Sequence, residues 1–182
     1  TLIKNGDHIY FIAETKNIPT ILEEFRKINR KYQKIFIAGG GNIGFNVAKL
    51  LENKHNVVVI EQDENRAANI ANHLNRALVL QGNASDEELL ADECIESADL
   101  FLALTNSDEV NLIVSVLAKR LGVHKVIALI KRDVYSLLAE QRDDVDIIVS
   151  PDQITVSDIL SYLRKDDMMQ VYSISHGSVE AI

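Results

Sequence analysis

Half of the glycines in this 182-residue chain, four of eight, fall in Gly39-Gly40-Gly41-Asn42-Ile43-Gly44. The spacing is G-x-G-x-x-G, and the chemistry it serves is phosphate binding. Gly39 permits a tight turn, Gly41 lets the backbone approach a pyrophosphate, and Gly44 lets the following helix pack close to the preceding strand. Unpaired N–H groups and the positive end of that helix then face the phosphates. Glu61 follows Gly41 by twenty residues at the end of the next apolar run, with Gln62 beside it. A carboxylate there accepts from the 2′- and 3′-hydroxyls of a ribose and repels a 2′-phosphate, so the pattern favours NAD over NADP. Arg66, five residues on, offers a cation, and at this place in a helix it reads as a surface residue.

Other polar residues end later apolar runs. Thr105 and Asn106 follow the fourth and offer a hydroxyl and an amide to a ribose or phosphate, or serve only as helix caps. Asn83 and Ala84 follow the third and fall near the adenine end. Lys131 and Arg132 follow the fifth and are the nearest counter-charges for phosphate. The five histidines are scattered without metal-ligand spacing, Cys94 is alone, and neither G-x-S-x-G nor G-x-x-x-x-G-K-[ST] occurs. Hydride transfer needs an acid or base near the nicotinamide and a substrate pocket, normally from a second domain. A non-catalytic binding module therefore leads, and a fragment of a small NAD-dependent oxidoreductase is the alternative.

These residues have to be positioned by an alternation of short β-branched runs and longer segments of helical period. The runs are Lys34 to Ala38, Val57 to Ile60, Ala77 to Leu80, Leu100 to Leu104, Lys125 to Ile130 and Asp146 to Val149. Among the segments between them are Asn42 to Glu52, Glu64 to Asn75 and Asp108 to Leu121. Runs that are apolar throughout predict a parallel sheet covered on both faces. The fold class is α/β, a doubly wound, Rossmann-like sheet of six βα units in the order 3-2-1-4-5-6. Ser85 with Glu88 and Thr105 with Asp108 have capping-box spacing, Pro151 opens the last helix, and Gly122 closes the fourth. Asp7 to Ala13 reads as a strand and Ile18 to Ile28 as a short helix, together an N-terminal appendage. Val171 to Ser175 reads as a further strand. Val156, Ile159, Leu160 and Leu163 form a stripe at i, i+3, i+4, i+7, either packed on the sheet or offered to a partner subunit.

Composition narrows the classes. The formal net charge is −8, made of +3 over residues 1–34 and −11 over the rest. An acidic body repels polyphosphate backbones, so no nucleic-acid partner is expected. One cysteine excludes a disulfide scaffold, and no apolar run approaches the roughly 18 residues of a membrane span, so no direct membrane insertion is expected. Thr1 and the abrupt end at Ile182 suggest a fragment of a longer chain.

The glycine loop, Val59-Ile60-Glu61, Gly82-Asn83-Ala84-Ser85 and above all Thr105-Asn106-Ser107-Asp108-Glu109-Val110-Asn111 resemble the KTN/RCK nucleotide-binding domains that regulate potassium channels and transporters. The resemblance covers nearly the whole chain. It implies that residues 1–33 are the end of a preceding small regulatory subdomain plus linker, 34–165 the nucleotide-binding domain, and 166–182 the start of a following segment. It implies NAD or NADH in the crevice, with ATP or ADP as alternatives. Gly39 to Ile43 would hold the pyrophosphate, Glu61 the adenosine ribose, and Thr105 and Asn106 the distal part. It further implies a cytoplasmic module, peripheral on the inner face of the plasma membrane, that partners a membrane potassium transporter subunit as a homodimer or tetramer of the full-length chain. The sequence departs from the family pattern at Asn83, where Asp is frequent, and at Leu129, where Arg is frequent, leaving phosphate neutralisation to Lys131.

Overall fold

A computed structural model describes residues 13–18, 20–21, 32–132, 134–135, 145–163, 172–174 and 179–181. The chain divides into two compact units, residues 1–31 and 32–182. Of the first, a 3-10 turn at Thr15–Asn17 is described, closed by the Asn17 N–H donating to the Glu14 carbonyl at 2.8 Å. The strand and helix expected over Asp7 to Ile28 fall largely outside the described residues.

The second unit is built on β1 (Lys34–Ala38), β2 (Asn56–Glu61), β3 (Leu78–Gln81), β4 (Leu100–Ala103), β5 (Lys125–Leu129) and β6 (Ile147–Val149). The sheet order is β3-β2-β1-β4-β5-β6 and every pairing is parallel, as the alternating pattern predicts. Between the strands lie α1 (Asn42–Leu51), α2 (Glu64–His73), α3 (Glu87–Asp92) and α4 (Asp108–Arg120), and α5 (Pro151–Leu163) follows β6. Successive residues of a strand point to opposite faces. Ile35, Ile37, Val57 and Val59 thus pack with Ala48 of α1 and Ile70 of α2, while Phe36, Val58, Ile60 and Phe101 pack with Val114 and Leu117 of α4. Both faces are covered, which is why the strands read as continuous apolar runs.

Two helix starts differ from expectation. Asp86, not Ser85, caps α3, its carboxylate accepting from the N–H of Glu88 at 3.0 Å. Ser85 is spent in the preceding turn, where its N–H and hydroxyl both donate to Asn83 Oδ1. Likewise Ser107, not Thr105, caps α4 by accepting from the Val110 N–H at 3.2 Å. Gly122, at φ +97°, ends α4 in the left-handed region as expected.

Pro151 opens α5, but three of the four residues of its stripe do not pack on the sheet, and the Leu163 side chain lies outside those described. Val156, Ile159 and Leu160 are all exposed, at 55%, 54% and 40%. β7 (Tyr172–Ile174), within the expected Val171 to Ser175 strand, pairs antiparallel with β8 (Val179–Ala181). No helix among the described residues is long and apolar enough to cross a membrane.

Candidate functional site

The glycine loop lies between β1 and α1, and its glycines have different reasons to be there. Gly39 adopts φ +102°, and a Cβ on it would lie 2.9 Å from the Leu104 carbonyl and the Thr105 backbone. A Cβ on Gly44 would overlap the Gly39 carbonyl, so the first turn of α1 rests directly on the loop. Gly41 is unlike both. Its φ of −66° and ψ of −173° suit any residue, and a Cβ there would meet nothing within 4 Å.

Gly41 is also the N-cap of α1, which has no capping side chain and no acid in its first turn. The first turn of every other described α-helix carries acid: Glu64 in α2, Glu87 and Glu88 in α3, Asp108 and Glu109 in α4, and Asp152 in α5. The positive end of α1 is therefore the one these side chains leave unanswered, and it favours an anion.

Two adjoining cavities meet at this point, of about 680 Å³ and 230 Å³, with Gly41, Arg66, Leu104, Thr105 and Asn106 on the wall of both. Gly40, Asn42, Ile43 and Lys131 line the larger, together with the apolar Phe45 and Leu129. Gly39, Glu61, Gln62, Asn83 and Ala84 line the smaller, with Val110 closing it. Of the six residues from Gly39 to Gly44, Gly44 alone lines neither, because it is packed behind the loop.

Glu61 is 6% exposed, yet it is fully engaged. Its Oε2 accepts from the Gly40 N–H at 2.8 Å and its Oε1 from the Asp63 N–H at 2.9 Å. Arg66 is no bystander on the surface: its Nη1 lies 3.7 Å from Glu61 Oε2 and its side chain stays 45% exposed. One side chain thus meets the Glu61 carboxylate and both cavities. Asn83 uses its Oδ1 on Ser85 and lines the smaller cavity.

The segment from Thr105 to Asn111 has a job the sequence reading missed. Asn111 is completely buried in the first turns of α4. Its Oδ1 accepts from the Thr105 N–H at 2.9 Å and the Thr105 hydroxyl at 2.6 Å. Its Nδ2 donates to the carbonyls of Thr105 at 3.2 Å and Leu129 at 2.8 Å, so one side chain joins the ends of β4 and β5. Asp108 accepts from the backbone N–H groups of Lys131 and Arg132. Two expectations change as a result. The Thr105 hydroxyl proton is committed to Asn111, so of this pair Asn106 is the one whose side chain has no such tie to α4 among the described hydrogen bonds, and it lines both cavities. Arg132 is held by Asp108 and Glu109 and lines neither cavity, leaving Lys131 as the cation at the end of β5. The signal for Asn111 was present, as an amide on the apolar face of a helix six residues after a threonine.

Glu109 completes this set. It accepts from the Tyr135 hydroxyl at 2.7 Å, the Ser107 hydroxyl at 2.8 Å and the Arg132 guanidinium, which lies 4.5 Å from the centre of the Tyr135 ring. The hydrogen bond from Tyr135, followed by those from its own backbone, Ser107 and Arg132, lowers its carboxyl to about 2. A lowered acid stabilises the fold above its unfolded value and loses that contribution as pH falls through the folded one. The stability difference between the parent and Glu109→Gln, present at pH 6, is expected to shrink below about pH 4.5 and vanish near pH 2. Urea midpoints of the two proteins at pH 6 and pH 2.5 check this, and a gap that stays constant overturns it.

A doubly wound sheet with a glycine loop, an acid at the end of β2 and a cleft across the strand ends defines the Rossmann-like nucleotide-binding type of domain. The family model of the TrkA-N domain matches residues 35–151, and the chain belongs to that family. It is 45% identical over 182 residues to the Trk system potassium uptake protein TrkA of Haemophilus influenzae and 40% identical to that of Halomonas elongata. Each match covers the whole of this chain and 40% of the relative, so the chain spans less than half of their length. Among solved structures, the TrkA-N domain of inner membrane protein YbaL from Escherichia coli has a TM-score of 0.63 at 20% identity, covering 74% of this chain and 98% of that one. The GsuK channel bound to NAD has a TM-score of 0.60 at 21% identity, covering 79% and 27%. These structures share the fold.

Proposed function

We propose that residues 34–165 form a non-catalytic nucleotide-binding domain that regulates a bacterial potassium-uptake transporter of the Trk type. The ligand class is NAD or NADH, with ATP or ADP competing for the same loop. Gly39 to Ile43 cradle the pyrophosphate, Glu61 and Gln62 read the adenosine ribose, and Asn83 and Ala84 border the adenine. Thr105 forms the wall, while Asn106 and Lys131 meet the distal part. Control is by linkage: a nucleotide that prefers one arrangement of paired domains shifts its population and so biases the transporter. Residues 1–33 are the end of a preceding small regulatory subdomain and 166–182 begin a following one. The exposed apolar residues of α5 supply the contact of a homodimer or larger ring, and the assembly sits in the cytoplasm against the inner face of the membrane.

The observation that carries this reading is Gly41. Its backbone is ordinary and the space over its Cα is open, so the chain itself does not require a glycine there. A ligand that must approach the bare N-terminus of α1 does require one. Membership of the TrkA-N family and the names of the relatives support the potassium-uptake context. The test is calorimetric titration of the chain with NADH, NAD, ATP and ADP in parallel. Saturable binding of at least one is expected, and binding of none overturns the proposal.

Glu61 offers a second check. Removing an ionised acceptor from a ribose costs about 1.5–3 kcal/mol, or roughly tenfold or more in affinity. Glu61→Ala is expected to weaken NADH by about that factor and to narrow the preference for NADH over NADPH. An unchanged ratio of the two dissociation constants would remove Glu61 from the site.

A further inference from the structure

Beyond β5 the backbone is no longer held by the sheet ladder alone. The Ile130 N–H donates to the Val149 carbonyl at 3.0 Å. The next two N–H groups, of Lys131 and Arg132, donate to one carboxylate, Asp108, at 2.9 to 3.1 Å. The Arg132 guanidinium and the Tyr135 hydroxyl then converge on Glu109, and the Tyr135 N–H returns to the Arg132 carbonyl at 3.0 Å. Lys131 lies between these anchors, and it alone of the three contributes to the wall of the larger cavity. The first turn of α4 therefore sets the backbone from which the cation at this side of the cleft projects.

We infer that Glu109 is a positioning residue for the nucleotide cleft: through Arg132 and Tyr135 it holds the segment after β5 so that Lys131 faces the glycine loop. The inference rests on the nucleotide-binding reading and adds a residue that touches no ligand. Two physical points separate it from a purely stabilising role. Glu109 and Arg132 are both partly exposed, at 45% and 59%, and an exposed ion pair adds little to global stability. Breaking it leaves the sheet and the buried Asn111 tie intact. By contrast, without Glu109 only the Asp108 end of the segment stays anchored, and a cation held from one side alone loses alignment with a phosphate, which affects binding directly. The same hydrogen bonds work in the other direction, since a ligand bridging the glycine loop and Lys131 strengthens the grip of Glu109 on Tyr135 by reciprocity. Occupancy of the cleft thereby reaches the residue that leads into the β5–β6 crossover.

A double-mutant cycle tests this, with NADH and ATP as the titrants. Glu109→Gln is expected to weaken whichever nucleotide the parent binds by about fivefold. In the Lys131→Met background the same substitution is expected to have no further effect, because the group it positions has gone. Tyr135→Phe, which removes only one partner hydroxyl, should show the same dependence on Lys131 with a smaller loss and guards against misfolding of Glu109→Gln. Equal losses in both backgrounds, or parent-like affinity in Glu109→Gln, overturn the inference while leaving the nucleotide site in place. Failure of the parent itself to bind either nucleotide instead overturns the reading on which the inference stands.

Discussion

Gly41→Val should abolish nucleotide binding while leaving a folded chain, with the dissociation constant rising at least about 100-fold, or roughly 2.7 kcal/mol. The argument starts from the backbone. At φ −66° and ψ −173° a β-branched residue is in an allowed region, and its Cβ meets no atom within 4 Å. Valine is a poorer N-cap than glycine by a fraction of a kcal/mol to about 1, partly offset because it also restricts the unfolded chain. The melting temperature is therefore expected to stay within a few degrees of the parent. The two added methyl groups, however, enter the wall common to both cavities, at the place where a pyrophosphate would meet the α1 N–H groups. Calorimetry beside a thermal melt decides the matter. Retained binding in a folded Gly41→Val would move the phosphate site elsewhere.

Gly44→Ala should do the opposite. The single added carbon overlaps the carbonyl of Gly39, a backbone atom that cannot swing aside as a side chain would. Gly39 is itself fixed, its N–H donating to the Ile60 carbonyl at 2.8 Å and its own Cα facing Leu104 and Thr105. Relief requires α1 to lift from β1, opening the contact of Ala48 with the strands beneath. Such overpacking against backbone is expected to cost about 3 kcal/mol or more, a large share of the roughly 5–15 kcal/mol that holds a domain together. Denaturant midpoints compare the two variants, and a Gly44→Ala as stable as Gly41→Val would refute the packing role.

The architecture was legible because the interior of each strand is apolar and polar residues stand at or beyond its ends. Lys34–Ala38 is read to the residue, and the third strand is displaced by one, since Ala77 precedes the ladder and Gln81 extends it. The caps were misread because Ser85 and Thr105 have the right spacing but are drawn into neighbouring turns by Asn83 and Asn111. That choice depends on three-dimensional proximity, which spacing does not encode. That the glycine loop, Glu61 and Lys131 lie at one cleft was legible because each stands at the C-terminal end of a strand and so must reach the same end of the sheet. Arg66 was undervalued because its helix position says nothing about Glu61, which it meets only through the fold. Asp108 and Glu109 were visible as acids at a helix start, where the helix dipole and solvent already account for them. Their partners lie more than twenty residues away after β5, beyond the reach of local pattern.

The bonds that shape the glycine loop are supplied by the chain: Gly39 to Ile60, Gly40 to Glu61, and Phe45 N–H to the Gly41 carbonyl at 2.8 Å. A phosphate arriving there has no loop to order, so encounter need not wait on a conformational search and little entropy is forfeited in the loop. For a sensor built on such a cradle, differences in affinity between ligands lie mainly in how long each stays. Its response time is then the residence time of the outgoing nucleotide, and two ligands of equal abundance are told apart by their rates of escape.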